Sequence, residues 1–410
     1  MDLVKQAWDS QVAGSPLVRV CQKLKILKGL LKWLNREVFS DLSAKVKLKA
    51  YELLLAQAEA LSHPSTITFE AENRLSKEAR KLREAEGDSN TPYFFRSVKL
   101  RQKRNMIRSL IDEAGHRFTD LEGMTKIAED FYVKLLGEED KEVVAPEVDQ
   151  IGSLLLKKLI PDQGVALCKP VTAEEVRVTM FGFNGDKAPG PDGYPACFFQ
   201  AAWHIVGAEV TSAILYCFQV SQIPVSVNST LLALIPKVHS PEEMKFFRPI
   251  ACCNILYKCI AKILATRLSA VMPCVISESQ TAFVKGRLIG ENILLAHELV
   301  QKYGRKNISS RSLVKVDLMK AFDSVNWAFL FRVLTAMGFP NKFLNWLRMC
   351  VTTQKFSIGF NAGSVGFFPA KKGLRQGDPL SPYLFVVAME VFSCLMHTAA
   401  AQNVMPFHPM

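Results

Sequence analysis

The sequence predicts a mixed α+β chain of two to three folding units, and three observations carry that prediction. At 410 residues and 45.8 kDa the chain is long enough to build several hydrophobic cores. Its first sixty residues repeat apolar side chains at helical spacing. From Val171 the texture changes to short helices alternating with strand-like runs, punctuated by Pro and Gly. A hydrophobic share of 49% and a charged share of 22% exclude wholesale disorder and a collagen or coiled-coil composition.

The longest apolar run near the C-terminus stops at Glu390, and no uninterrupted run approaches the roughly 18 residues of a membrane span. No membrane association is therefore expected. The opening MDLVKQAWDS has no signal-peptide core, which points to an intracellular protein and leaves nucleus or cytoplasm open. Ten cysteines are scattered with no C-x-x-C among them, so reduced and mostly buried thiols are expected rather than a disulfide scaffold or a Cys/His metal site.

Charge is unevenly placed. Of 51 basic and 39 acidic residues, 1–108 hold 21 and 12, 109–150 hold 4 and 12, and 151–410 hold the remaining 26 and 15. Two basic blocks thus flank an acidic connector, the footprint expected of a protein that meets a polyanion such as nucleic acid. Helices whose charges are simply solvated give the same composition.

Leu17, Val20, Leu24, Leu27, Leu31 and Leu34 recur at helical spacing, so 16–61 reads as a long amphipathic helix ended by His63-Pro64. A polar helix over roughly 66–86 leads to the loop EGDSNTP (86–92) and then YFFRSVKLRQKRN (93–105). There aromatics precede Arg96, Lys99, Arg101, Lys103 and Arg104, a pattern suited to stacking bases and pairing phosphates of a single strand. A helix with buried Phe94 and Phe95 and a solvated basic face fits the same residues. Ile107 to Phe118 reads as a hairpin turned at Asp112–Gly115, with a helix capped near Thr119 or Asp120 after it. Residues 138–170, acidic and holding Pro146, Pro161 and Pro170, read as a linker. Beyond it come a capping box at Thr172 and Glu175, strand-like LLALIPKV (231–238) and FFRPIACC (246–253), and a helix from Asn254 to about Met272.

Two segments carry candidate chemistry. SLVKVD (312–317) is an apolar strand ending in Asp317, a place from which a carboxylate can be aimed at a metal, or can merely cap the next turn. KKGLRQGDPLSP (371–382) is a Gly- and Pro-rich turn opening an apolar helix, where backbone can approach a base or phosphate.

Taken in order, KAPGPDGYP (187–195), LIPK (234–237) with FRPIACCNILYKCIAKILATRL (247–268), QTAFVKGR (280–287) with IGENILLAHE (289–298), VKVDLMKAFDSVNW (314–327) and GLRQGDPLSPYLF (373–385) resemble the reverse transcriptase domain of LINE-type, non-LTR retrotransposons, in texture those of plants. The resemblance covers roughly 171–402, and the helical region before it is similar to the segment between endonuclease and polymerase in such polyproteins.

The resemblance implies an α+β right-hand polymerase, fingers and partial palm, preceded by a mainly α-helical segment. Its domains are 1–137, helical and basic; 138–170, an acidic linker; and 171–410, fingers and truncated palm. It implies an RNA-directed DNA polymerase working through two Mg²⁺ ions, with an RNA template, a DNA primer and deoxynucleoside triphosphates as partners. By position in the motifs, Asp317 is the metal-binding catalytic carboxylate and the Leu318 carbonyl assists. Phe322 matches the steric gate against a ribose 2′-hydroxyl, though a core phenylalanine fits there too. Asp323 orders the turn. Lys237 and Arg248 meet the triphosphate, and Gln376 and Gly377 line the nucleotide pocket. Arg375 lies near nucleic acid, while Arg287 touches template or, by slight preference, braces the fingers. The family's next motif, an aromatic-Ala-Asp-Asp hairpin carrying further catalytic carboxylates, is absent from these 410 residues. The expectation is a truncated fragment, inactive alone and with an incomplete two-metal site, or else a non-catalytic nucleic-acid-binding remnant. Oligomeric state stays open.

Overall fold

The periodicity of the N-terminal residues is realised in three helices, α1 (Asp2–Trp8), α2 (Pro16–Leu34) and α3 (Leu42–Ser62). Pro16 opens α2 at a position where its missing N–H costs nothing. α2 runs into a π-helical turn, Asn35–Phe39, so the single helix expected over 16–61 is interrupted. The computed structural model describes residues 1–39, 42–62, 70, 72, 74–78, 105–140, 144–301, 303, 313–361 and 363–404. Arg96, Lys99, Arg101, Lys103 and Arg104 lie outside the described residues, as does the loop before them.

Two units result: 1–10 with 23–106, and 11–22 with 107–410. In the first, the Lys23 ammonium donates to the Trp8 carbonyl, while α3 meets residues 72–78 through Lys49–Glu78 at 3.2 Å and Gln57–Glu72 at 3.4 Å. These contacts are polar, and Leu48, Tyr51, Leu54 and Leu55 stay exposed.

The second unit begins with the expected hairpin, β1 (Leu110–Ile111) and β2 (Arg117–Phe118), whose turn is closed by Asp112 accepting from the Ala114 and His116 amides. Asp120 caps α4 (Leu121–Tyr132) by accepting from the Gly123 amide at 2.6 Å, and a π-turn, Val133–Gly137, extends it. α5 (Val148–Leu154) and α6 (Pro161–Leu167) follow. The stretch 138–170 is therefore no free linker. Ile151, Leu155 and Leu167 are buried, and 107–170 share one unit with everything after them. Charge and prolines suggested a linker; a few well-spaced apolar side chains override them.

α7 (Ala173–Phe181), α8 (Ala196–Ala201), α9 (Trp203–Val220) and α10 (Val225–Asn228) lead to β3 (Ser229–Pro236), and β4 (Phe247–Cys253) returns antiparallel with Arg248 opposite Ile235. Thr172 caps α7 as expected, but the Glu175 carboxylate turns to Arg267 at 2.8 Å instead of completing the capping box. α11 (Ile255–Val275), α12 (Ile289–Val300), α13 (Trp327–Ala336) and α14 (Asn341–Val351) precede β5 (Lys355–Phe360), β6 (Gly363–Pro369) and α15 (Ser381–Ala401). The sheet order is β4-β3-β5-β6, with β3 and β5 parallel and the other pairs antiparallel.

A helix apolar on nearly every side must be buried on nearly every side, and α11 is the centre of the fold for that reason. Tyr257, Cys259, Ile260, Leu264 and Leu268 are all buried, with α7, α9, α14 and α15 packed around them. α15 is long and apolar enough by composition to cross a membrane, although Glu390 interrupts its apolar run. Its Leu384, Val387 and Val391 are core residues, and the buried Glu390 carboxylate accepts from the Ser277 amide at 2.9 Å and hydroxyl at 3.1 Å. All ten cysteines are free thiols, half of them buried.

The segment expected to be a strand before Asp317 is not one. Residues 313–318 have no regular structure, and Val314 and Val316 are 74% and 61% exposed. An alternating apolar run becomes a strand only against a partner edge, and no described strand pairs with it. Nor does α12 bury any of its side chains. Hydrogen exchange followed by mass spectrometry should accordingly find peptides over 313–318 exchanging at near-unprotected rates, while β3 and α11 are retained; comparable protection of both would contradict the fold described.

Candidate functional site

Three segments far apart in sequence are joined by backbone hydrogen bonds. Leu374 donates to the Phe322 carbonyl at 2.7 Å and Gly373 to Val325 at 2.8 Å, which ties the turn 320–325 to the loop 371–377. Ala251 of β4 donates to the Gln376 carbonyl at 2.8 Å and seats the same loop on the sheet. Gly373, at φ +83°, is required here, because a Cβ would lie 2.8 Å from the Asp323 carbonyl oxygen. Asn326 caps α13 through the Phe329 amide, and Trp327 donates to the Gly373 carbonyl at 2.8 Å. Phe322, Gln376 and Gly377 are thereby brought together. The Phe322 ring is half-buried and stacked on Phe385 at 4.8 Å.

Arg375 is placed inside the protein, 4% exposed, and not on a nucleic-acid surface. Its guanidinium donates to Asn228 Oδ1 at 2.8 Å, Thr230 Oγ1 at 3.0 Å and the Cys350 carbonyl at 3.1 Å, lies 3.9 Å from the Tyr257 ring, and faces Asp378 at 3.3 Å. Asp378 accepts from the Tyr257 hydroxyl at 2.5 Å and the Leu380 amide at 2.9 Å. A planar fork with five donors suits a buried position with this many acceptors, and in the loop it acts as an internal brace.

A second brace holds KAPGPDGYP. Asn254 accepts from the Asp192 amide at 3.1 Å and donates to the Ser226 and Val227 carbonyls, while a Cβ on Gly190 would stand 2.4 Å from the Asn254 amide nitrogen. Sequence reasoning assigned Asn254, Tyr257 and Asp378 no role; a polar residue at the start of a mostly apolar helix and the acid of QGDP were the available signals.

Arg287 also braces. It donates to the carbonyls of Pro273, Ile276, Ser277 and Gln280, closing the turn after α11. Lys237 and Arg248 are exposed near the far ends of β3 and β4, where Lys237 Nζ donates to the Lys245 carbonyl at 3.1 Å. Asp317 and Leu318 sit on the exposed segment before the turn.

Asp323 is 6% exposed, and burial raises its carboxyl to about 6, against the pull of Lys320 and Lys237. Close behind it, Tyr132 of α4 is fully buried with no hydrogen-bond partner for its hydroxyl, and burial, with the field of Asp323, raises it as well. α4 and its π-turn thus belong to this locality: Lys371 donates to the Leu136 carbonyl at 2.7 Å, and Lys372 pairs with Asp140.

By the resemblance, Asp317 and the Leu318 carbonyl would be the metal donors. Every other acid after them is buried: Asp323 beneath the turn, Asp378 on Arg375, and Glu390 on Ser277. No group of three or more His, Cys, Asp or Glu suited to a metal occurs among the described residues. Among the described residues this donor set does not make a two-metal site.

Residues 235–407 match the family described as reverse transcriptase (RNA-dependent DNA polymerase). The chain is similar to the Transposon TX1 uncharacterized 149 kDa protein of Xenopus laevis, 28% identical over 309 residues that make up 75% of this chain and 23% of that protein. It is 27% identical over 220 residues to the Retrovirus-related Pol polyprotein from type-2 retrotransposable element R2DM of Drosophila melanogaster, 54% of this chain and 20% of that one. A shorter match, 48% over 46 residues, is to an uncharacterized mitochondrial protein of Arabidopsis thaliana, covering 11% of this chain and 38% of that protein. The family match places a reverse transcriptase domain over residues 235–407 of a mixed α+β chain that opens with a helical N-terminal segment. More particularly, the Xenopus and Drosophila relatives are named as proteins of a transposon and a retrotransposable element, in line with the non-LTR resemblance of the motifs. The chain spans about a quarter or less of the first two relatives' length.

The buried charges make two testable demands. Arg375→Met should cost about 3–5 kcal/mol of folding stability by leaving Asp378 uncompensated, and adding Asp378→Asn should restore part of it; urea denaturation of the three proteins measures both. Asp323, whose folded value is raised, stabilises fully below its ordinary range near 3.8 and loses that contribution as pH rises through about 6. Between pH 4 and 7 the wild type should therefore lose about 2–3 kcal/mol relative to Asp323→Asn, and parallel pH profiles for the two would contradict the burial.

Proposed function

We propose that this chain is the nucleic-acid- and nucleotide-binding part of a non-LTR retrotransposon reverse transcriptase, and that its 410 residues alone bind substrates without completing polymerisation. The observation that carries the reading is the joining of the turn 320–325, the loop 371–377 and β4 in one place. It groups the residues whose motif positions are those of nucleotide selection, Phe322, Gln376 and Gly377, while Lys237 and Arg248 are exposed cations on the adjoining hairpin. The RNA template, DNA primer and deoxynucleoside triphosphates are the partners this reading assigns. Chemistry in this family uses divalent metal, and Mg²⁺ is the ion proposed. The burial and engagement of Asp323, Asp378 and Glu390 support a site in which, among the described residues from 317 onward, Asp317 is the exposed carboxylate. An intracellular location and a plant-type element belong to the same reading, the latter supported by the short Arabidopsis match.

Primer extension on an RNA template with Mg²⁺ should give no product above Asp317→Asn, whereas single-stranded RNA should bind with an affinity that falls at least about tenfold between roughly 50 and 200 mM salt, as several phosphate contacts at about −0.7 each would require. Synthesis that depends on Asp317 would overturn the non-catalytic half of the proposal, and absent or salt-independent RNA binding the other half.

A further inference from the structure

Lys320 lies three residues beyond Asp317 and two before Phe322, and it is a long side chain held at φ +54°. Left-handed backbone is disfavoured for such a residue, and strain kept at one position raises the question of what the side chain does there. Its half-buried ammonium lies 4.7 Å from the centre of the Phe131 ring in α4. Among the described residues it forms no ion pair. The charged groups whose fields act on it are Asp323, Lys237, Lys134 and Lys372. Lys134 is satisfied by Glu113 at 2.9 Å and Lys372 by Asp140, whereas Lys237 donates to a carbonyl. Lys320 and Lys237, on separate segments, are therefore the two cations of this set without a carboxylate partner among the described residues, and the one acid in the set, Asp323, is buried. Cations left without counter-ions favour an anion that can accept from more than one of them, and a phosphate group is such an anion.

We propose that Lys320 is a further phosphate-binding residue of this site, acting with Lys237 and positioned by the Phe131 ring. The ring holds the half-buried ammonium from the protein side. The phosphate is either the triphosphate of a nucleotide or the backbone of a nucleic acid. The proposal rests on the polymerase reading and adds to it that α4, which precedes residues 235–407, supplies a side chain to the substrate site.

The test uses the whole 410-residue chain, inorganic tripolyphosphate and a labelled single-stranded RNA. Lys320→Asn and Lys320→Gly remove the charge and suit positive φ, Phe131→Leu removes the ring, and Lys126→Gln, exposed on α4, is the control. Tripolyphosphate affinity should fall about tenfold in either Lys320 variant and about threefold in Phe131→Leu, and stay unchanged in the control. A matching loss for RNA, with its salt slope reduced by roughly 0.7, assigns the phosphate to the nucleic-acid backbone; loss for tripolyphosphate alone assigns it to the nucleotide. Wild-type binding that neither Lys320 variant alters for either ligand overturns the inference alone. A wild type that binds neither ligand overturns the polymerase reading with it.

Discussion

The buried pairing of Arg375 with Asp378 is the constraint on which the rest of the second unit depends. Moving a guanidinium and a carboxylate out of water is costly, and the cost is met only where every donor and acceptor finds a partner. Here the partners come from the end of α10 (Asn228), the start of β3 (Thr230), the central helix α11 (Tyr257), the end of α14 (Cys350) and the loop itself. These elements must all be in place together for the pair to be satisfied, so the interaction couples sheet, core helix and loop. It leaves Gln376 and Gly377, the next two residues, seated on β4.

The second constraint is steric. The turn after Asp317 and the loop before Arg375 share a short backbone ladder, and only a glycine at 373 lets the two chains come this close. The same logic applies at Gly190, where the Asn254 backbone occupies the space a side chain would need. Glycines in these motifs thus act by admitting neighbouring backbone, with no demand that each touch a ligand.

Electrostatics divides the site into an inside and an outside. Asp323, Asp378 and Glu390 are buried, two of them accepting several hydrogen bonds, whereas Asp317, Lys237 and Arg248 remain exposed. Lys320 lies between, half-buried against an aromatic ring from a helix that charge and composition had assigned to a preceding segment. The acidic stretch 138–170 shows the same effect at larger scale: Glu138, Glu139, Glu147, Asp149 and Asp162 are exposed, and the buried Ile151, Leu155 and Leu167 decide where it goes.

What the sequence alone determined is whatever rests on local periodicity and on motifs read in order: the β1–β2 hairpin, a cap at Thr119 or Asp120, the Thr172 cap, the β3 and β4 strands, the apolar α11, the bracing role favoured for Arg287, and the family resemblance. Local pattern suffices there because each element satisfies its hydrogen bonds within a few residues or displays its burial as a run of apolar side chains. Only the tertiary structure decided that residues 313–318 are not a strand, since a strand exists by virtue of an edge that no local pattern supplies. It alone showed that Arg375 faces inward, because whether an arginine is buried depends on acceptors more than a hundred residues away, at Asn228 and Thr230. It alone brought Phe131 to Lys320, two side chains nearly two hundred residues apart, whose contact is set by how α4 packs and not by any sequence motif.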